Sequence, residues 1–181
     1  MTYNKENLSL AMTGNQNAFS QIYEEIHSDL YRMALYMCGN PGMAEDIVSE
    51  TILDAYKGIH NLKDAENFEA WIMKILSAKV KRSFKKNYNS FSVHNPMARS
   101  LDDTELSSPD HSERGIFRTD ILQAMISLKS IDRIIISLCV IQEYTSEEAA
   151  RILSMKASSL RSRLNRGLKK LKTELEENGY E

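Results

Sequence analysis

The sequence is poor in residues that interrupt helices, with three prolines and seven glycines among 181 residues. Apolar residues recur at intervals of three and four, and no segment shows the strict alternation of a strand with one buried face. The sequence therefore predicts an all-α fold.

Cysteine and long apolar runs are also scarce. Cys38 and Cys139 are the only cysteines and do not form a CxxC pair, which argues against a disulfide framework or a zinc site. We expect both to be small buried apolar residues. No run approaches the ~20 apolar residues of a membrane span, and Met1–Leu10 is too polar for a signal peptide. These absences predict a cytoplasmic protein without membrane insertion.

The charges of the chain nearly cancel, with 23 Lys and Arg against 25 Asp and Glu, a net charge of −2 and a pI near 6.1. This balance excludes a uniformly basic coat. Any surface that binds nucleic acid must therefore be a local basic patch.

Three helices are predicted in the first half of the chain, over residues 17–37, 43–59 and 67–86. The second helix has an apolar face and, roughly opposite, an acidic stripe of Asp46, Glu50 and Asp54. The third helix contains six basic residues and no acid between Met73 and Lys86.

A change in composition divides the chain into two small helical domains. Residues 87–117 contain six serines, two prolines and no helical stripe, which is typical of a flexible linker. Helical periodicity resumes near Arg118. We therefore predict a first domain over 1–86, a linker over 87–117 and a four-helix domain over 118–181.

A helix-turn-helix is predicted within the stretch "YTSEEAARILSMKASSLRSRLNRGLKKLK" at 144–172. Thr145 and Glu148 form a capping-box pattern, Ser154–Lys156 a turn, and the following helix has seven basic residues and no acid between Lys156 and Lys172. Such a second helix can enter a DNA major groove. The alternative is an amphipathic helix with a solvated basic face.

This stretch resembles the promoter-binding domain of RNA polymerase sigma factors of the sigma-70 family, in the extracytoplasmic-function (ECF) group. The matching residues include the Glu147–Glu148 pair, Ala149, Ile152, Leu153, Leu160, Ser162, Arg163, Leu164 and Arg166. The sequence departs from the family pattern at Ser154, where a turn glycine is preferred, and at Lys156, where a capping serine is frequent. The resemblance implies that the helix reads the minus-thirty-five promoter element through Ser158, Ser159, Arg161, Ser162, Arg163, Asn165, Arg166, Lys169 and Lys170.

The first half is similar to the other conserved domain of the same family. "AEDIVSETILDAY" at 44–56 resembles the helix that docks on a coiled coil of the polymerase clamp. The resemblance implies that Asp46, Glu50 and Asp54 meet basic polymerase residues, with Ile47 supporting the helix. An exposed acidic stripe would repel DNA, so a different partner is consistent with its charge. A merely solvated helix face is the alternative.

"NFEAWIMKILSAKVKRSFKK" at 67–86 resembles the segment that reads and opens the minus-ten element. The resemblance implies DNA contacts from Asn67, Phe68, Trp71, Lys74, Lys79, Lys81 and Arg82. An amide and a ring suit the capture of an unstacked base. Phe68 equally suits the core, and Trp71 is expected to be mainly core with one edge near DNA.

No catalytic motif accompanies these features, because the four histidines are scattered and no phosphate loop or GxSxG is present. We expect no enzymatic activity and no cofactor. Asp46 and Glu50 are four residues apart and could bind a metal together, but no histidine or third carboxylate is nearby to complete a site, so we expect no metal. The implied partners are core RNA polymerase, promoter DNA and, as is common in the group, an anti-sigma factor. The alternative function is a stand-alone helix-turn-helix regulator with an N-terminal sensor domain.

Overall fold

The computed structural model describes the backbone of residues 1–94 and 121–177, and the side chains of residues 1–85 and 121–177. Every regular element within these ranges is helical. The predicted all-α fold is therefore confirmed. None of the helices in these ranges has both the length and the apolarity that crossing a bilayer requires.

Four helices form the first half: α1 (Lys5–Met12), α2 (Gln16–Cys38), α3 (Pro41–Gly58) and α4 (Phe68–His94). The three helices predicted from periodicity correspond to α2, α3 and α4. Helix α1 was not predicted, because it has eight residues and buries only Leu8 and Ala11, too few for a periodic signal.

Asparagine side chains begin the first three helices. Asn4, Asn15 and Asn40 each accept a hydrogen bond from a backbone N–H of the first turn, which satisfies donors that have no partner within the helix. Gly39 ends α2 in the left-handed conformation at φ 74°, where glycine has no steric penalty. The turn at "CGNPG" (residues 38–42) thus consists of a glycine that ends α2 and an asparagine that begins α3.

Helix α4 is longer than predicted. It continues to His94, so the first eight residues assigned to the linker, 87–94, are helical in backbone conformation. The rest of the predicted linker, 95–117, lies outside the described residues.

The second half has four helices: α5 (described over residues 121–126), α6 (Ser130–Ile136), α7 (Ser146–Leu153) and α8 (Ala157–Glu177). A π-helical turn, Ser137–Ile141, extends α6. In the sequence, Ile131, Ile134, Ile135, Leu138 and Cys139 follow the spacing of one continuous α-helix. The wider turn leaves Ile134, Ile135 and Leu138 buried, so the apolar stripe survives the change in helical pitch.

The two halves pack against each other. Helices α6 and α7 lie on α2 and α4, and buried side chains from both halves form one continuous core. Arg133 of α6 donates from Nε to the carbonyl oxygen of Met37 at 3.1 Å, and its guanidinium lies 5.1 Å from the ring centre of Phe84. Lys81 Nζ donates to the carbonyl oxygen of Leu153 at 3.0 Å. Polar contacts thus join the halves at both α6 and α7.

Tyr144 adds a phenol to this interface. Its hydroxyl is buried without a hydrogen-bond partner among the described residues. Burial, with the nearby carboxylate of Glu69 on α4 as a second cause, raises the pKa of Tyr144 to about 12. The phenol therefore stays neutral at physiological pH.

Candidate functional site

Helices α7 and α8 form the helix-turn-helix that the sequence predicts. The capping box is present, with Thr145 Oγ1 accepting from the backbone N–H of Glu148 and the Glu148 carboxylate accepting from the N–H of Thr145. Ser154 ends α7 in the left-handed conformation at φ 53°, ψ 47°. The turn has its expected geometry although serine occupies the glycine position.

The inner face of α8 packs closely on α6. Leu160 and Gly167 are buried, and a Cβ added to Gly167 would lie 3.1 Å from Cδ1 of Ile136. A side chain here would require Ile136 to shift by a few tenths of an ångström. Gly167 therefore permits the close crossing that fixes the direction of α8.

The predicted DNA contacts of α8 lie on its exposed side or at the edge of that side. Exposed residues are Ser158, Ser159, Arg161, Ser162, Asn165, Arg166, Lys169 and Lys170, and Arg163 is partly exposed. The structure thus brings all nine residues onto one helix.

Three of these basic residues also have partners within the second half. Arg163 Nη1 lies 3.3 Å from Oδ1 of Asp132 on α6, and Lys170 Nζ donates to the carbonyl oxygen of Ser127 at 2.6 Å. Arg161 lies 3.3 Å from a carboxylate oxygen of Glu147. Among the described residues, Arg166 donates only to the carbonyl oxygen of Ser162 in its own helix, and its side chain is exposed.

Helix α3 presents the acidic stripe to solvent. Asp46, Glu50 and Asp54 are exposed, whereas Ile47 is buried in the core. Ile47 therefore supports the stripe from inside. Leu53, which is not among the predicted site residues, is an apolar residue of the same helix and is 57% exposed. Its place next to Asp54 in the sequence could have indicated that it lies near the acidic stripe.

A groove of about 490 Å³ runs between α3 and α4 beside this stripe. It is lined by Met43, Asp46, Ile47, Glu50, Lys79, Arg82 and Ser83. Lys79 Nζ lies 2.6 Å from Oδ2 of Asp54 and 3.2 Å from Oε2 of Glu50. The hydrogen bond to Asp54 raises the pKa of Lys79. Lys79, predicted as a DNA contact, is thus placed on the acidic side of the domain.

The predicted minus-ten residues divide between surface and core. Asn67 is exposed and donates from Nδ2 to Oδ2 of Asp64 at 3.1 Å. Phe68 is only 1% exposed, with its ring centre 5.1 Å from that of Tyr3 and 6.1 Å from that of Trp71. Of the two interpretations left open for Phe68, the structure supports the core. In this conformation its ring cannot stack on a base.

The remaining minus-ten residues follow α4. Trp71 is half-buried, and Lys74 and Arg82 are exposed. Lys81 is half-buried against α7, and burial lowers its pKa. Among the described residues no cluster of His, Cys, Asp or Glu has the arrangement of a metal site.

Each half of the chain matches a known protein family model. Residues 22–89 match the model of Sigma-70 region 2, and residues 118–171 match that of Sigma-70, region 4. The chain belongs to the sigma-70 family of RNA polymerase sigma factors, in its ECF group. The two matches cover most of α2–α4 and all described helices of the second half except the end of α8.

Relatives along almost the full chain are ECF sigma factors. SigW of Bacillus subtilis is 24% identical over 94% of this chain and 96% of its own length. SigX of the same organism is 23% identical over 89% and 85%. BldN of Streptomyces coelicolor is 24% identical over 89% of this chain, which spans 61% of the length of BldN.

Solved structures show the same fold. The sigma factor RpoE of Bartonella quintana, in complex with the anti-sigma factor NepR, aligns with a TM-score of 0.69 and 20% identity over 87% of this chain and 96% of its own. CnrH, in complex with the cytosolic domain of CnrY, aligns with a TM-score of 0.66 and 19% identity over 97% and 98%.

Proposed function

We propose that this chain binds core RNA polymerase through α3 and directs it to promoters read by α4 and α8. The observation that carries the proposal is the separation of charge between exposed helix faces. Three carboxylates lie on α3, while the basic residues of α8 lie on the outer face of a helix-turn-helix. A transcription initiation factor needs both surfaces, because polymerase and DNA phosphates attract opposite charges.

The docking surface consists of Asp46, Glu50 and Asp54, with Ile47 beneath them and Leu53 beside them. Exposed carboxylates on one face suit a basic helical partner such as the coiled coil of the polymerase clamp. Leu53 supplies an apolar contact next to the charges, as interfaces usually combine both.

Minus-ten recognition is assigned to the exposed edge of α4 and the turn before it. Asn67 offers an amide to the edge of an unstacked base, and Trp71 offers part of a ring. Lys74, Lys81 and Arg82 supply cations for phosphates. Phe68 supports this surface from the core.

Minus-thirty-five recognition is assigned to the solvent face of α8. Ser158, Ser162 and Asn165 are short enough to let the helix approach the groove, while Arg166 and Lys169 reach base edges and phosphates. The first domain thus handles polymerase and the minus-ten element, and the second handles the minus-thirty-five element.

The cytoplasm is the compartment proposed for this function, since polymerase and promoters are there. No step of it requires catalysis by the chain or a cofactor. The solved complex of RpoE with the anti-sigma factor NepR supports an anti-sigma factor as a further partner.

The test is co-purification with core polymerase and transcription from a promoter selected by the reconstituted holoenzyme. Asp46→Lys with Glu50→Lys should abolish polymerase binding while leaving helicity unchanged. A matched control is Glu6→Lys with Glu24→Lys, which reverses two exposed acids outside the stripe. Wild-type binding by the first double variant would place the docking surface elsewhere. Specific DNA binding by the chain alone, without polymerase, would instead support the stand-alone regulator.

A further inference from the structure

Lys79 occupies a position that its predicted DNA role does not explain. Its side chain is 15% exposed, whereas those of Asp54 and Glu50, which its ammonium contacts, are 48% and 60% exposed. The acids therefore face solvent while the lysine lies behind them. An ammonium that is held by two carboxylates of α3 is poorly placed to reach a phosphate.

The pairing changes the charge that a docking partner meets. Lys79 supplies one positive charge to a stripe of three carboxylates and bonds two of them directly. A cation of the partner must therefore share Glu50 and Asp54 with Lys79 or displace it. Exchange of one ion pair for another returns less binding free energy than pairing a free carboxylate.

The groove also indicates the kind of side chain that would compete. Asp46 and Glu50 lie on its wall, and the apolar residues Met43 and Ile47 line it nearby. An arginine suits this combination, because its planar fork binds carboxylates in pairs and its aliphatic stem covers apolar surface.

We infer that Lys79 is an intramolecular counter-ion of the docking surface, which competes with arginine side chains of the polymerase for Glu50 and Asp54. The inference rests on the proposed function of α3. Lys79 acts through the two carboxylates and restrains the affinity for polymerase, in place of contacting DNA.

The experiment measures the affinity of fluorescently labelled full-length protein for core polymerase in the absence of DNA. Lys79→Met should bind about two- to fivefold more tightly than wild type at low salt, the scale of a partly exposed ion pair. The gain should shrink as salt screens the pair. Lys79→Arg, which keeps the charge, should bind like wild type.

Lys85→Met is the matched control, since Lys85 is an exposed lysine on the same helix and has no role in the proposed function. It makes the same change in net charge away from the two carboxylates. If the control variant gained as much affinity for core polymerase as Lys79→Met, the gain would come from the change in net charge alone. That result would overturn the inference. In the Asp54→Asn background the gain from Lys79→Met should fall, because one of its two partners has lost its charge.

Each remaining outcome is decisive. Weaker binding by Lys79→Met would make Lys79 a support that orients the acids, and unchanged binding would leave it without influence on docking. Either result overturns competition. Loss of promoter binding by holoenzyme with unchanged core affinity would restore Lys79 to the DNA contacts. Failure of the wild-type protein to bind core polymerase would refute the proposed function itself.

Discussion

A residue's type and its direction are separate facts, and Phe68 and Asn67 illustrate the difference. Both are suitable for capturing a base, but they lie side by side in a turn that directs the ring inward and the amide outward. The sequence supplied the residue types. It could not supply the direction, because that depends on Tyr3 of a segment that has no strong sequence signal.

Phe68→Ala should lower the free energy of unfolding by about 3–5 kcal/mol, the usual cost of removing a buried aromatic side chain. Asn67→Ala should change the free energy of unfolding by about 0.5 kcal/mol or less, as is usual for an exposed residue, yet impair promoter opening. Urea unfolding measures the first effect and permanganate reactivity of minus-ten thymines the second. A Phe68→Ala protein of wild-type stability would show that the ring is not part of the core.

Arg163 and Arg166 are three residues apart, but their surroundings predict different roles. Arg163 is paired with Asp132 of α6, and Arg166 has no partner outside α8 among the described residues. Arg166→Ala should weaken minus-thirty-five recognition by about 1–3 kcal/mol if it reaches base edges. Arg163→Ala should have a smaller effect on binding and a cost of about 0.5 kcal/mol in stability.

Footprinting over a series of altered minus-thirty-five sequences separates these roles. Equal losses and equal changes in sequence preference for both variants would mean that Arg163 leaves Asp132 when DNA binds. Asp132→Asn is a useful companion, since it frees Arg163 without removing it.

The turn between α7 and α8 contains two residues whose types do not favour its conformation. Ser154 adopts a left-handed conformation that favours glycine, and Lys156 precedes α8 where a side-chain cap is usual. Ser154→Gly should stabilise the protein by about 1 kcal/mol, and Lys156→Ser by a similar amount. Thermal unfolding measures both. A fall in melting temperature for Ser154→Gly would mean that the serine side chain compensates for the strain.

Elements with a long apolar stripe were predictable, and the others were not. The stripes of α2, α3 and α8 each extend over several turns, so periodicity located them within a few residues. The extension of α4 through "NYNSFSVH" has no such stripe. The π-helical turn after α6 has more residues per turn than an α-helix. Its apolar spacing still fits an α-helix, so periodicity could not distinguish the two.

At the scale of the whole molecule, the packing of the two halves was beyond sequence reasoning. Its polar contacts join Arg133 to Met37, 96 residues apart, and Lys81 to Leu153, 72 residues apart. Each uses a backbone carbonyl as the acceptor, and carbonyls are present in every sequence. The residue types therefore do not indicate which backbone carbonyl accepts a hydrogen bond from Arg133 or Lys81.

This packing holds α4 and α8, the helices proposed to read DNA, close together. Helix α7 lies on α4, and α8 packs on α7. Packed helices are about 8–10 Å apart, which places the axes of α4 and α8 at most about 20 Å from each other. Promoter elements two helical turns apart are separated by roughly 70 Å. The halves must therefore separate before one molecule can read both elements.

A disulfide across the interface tests this requirement. A Cβ on Gly39 would lie 2.9 Å from Cγ1 of Ile126, so cysteines at both positions approach the Cβ separation of about 3.5–4.5 Å that a disulfide needs. We expect Gly39→Cys with Ile126→Cys, in a background with Cys38→Ala and Cys139→Ala, to form this bond on oxidation. The cysteine-free background is the matched control.

The oxidised protein should still bind core polymerase, because the acidic stripe of α3 is exposed in the closed form. It should not support transcription from a promoter that needs both elements, and a reducing agent should restore activity. Normal transcription in the oxidised state would show that the halves need not separate. Cysteine is strained at the left-handed Gly39 position, so the double-cysteine protein must first unfold at the temperature of the control. Failure of the disulfide to form in such a protein would mean that the halves are not packed in solution, because α2 and α5 must be in contact for the two sulfurs to meet.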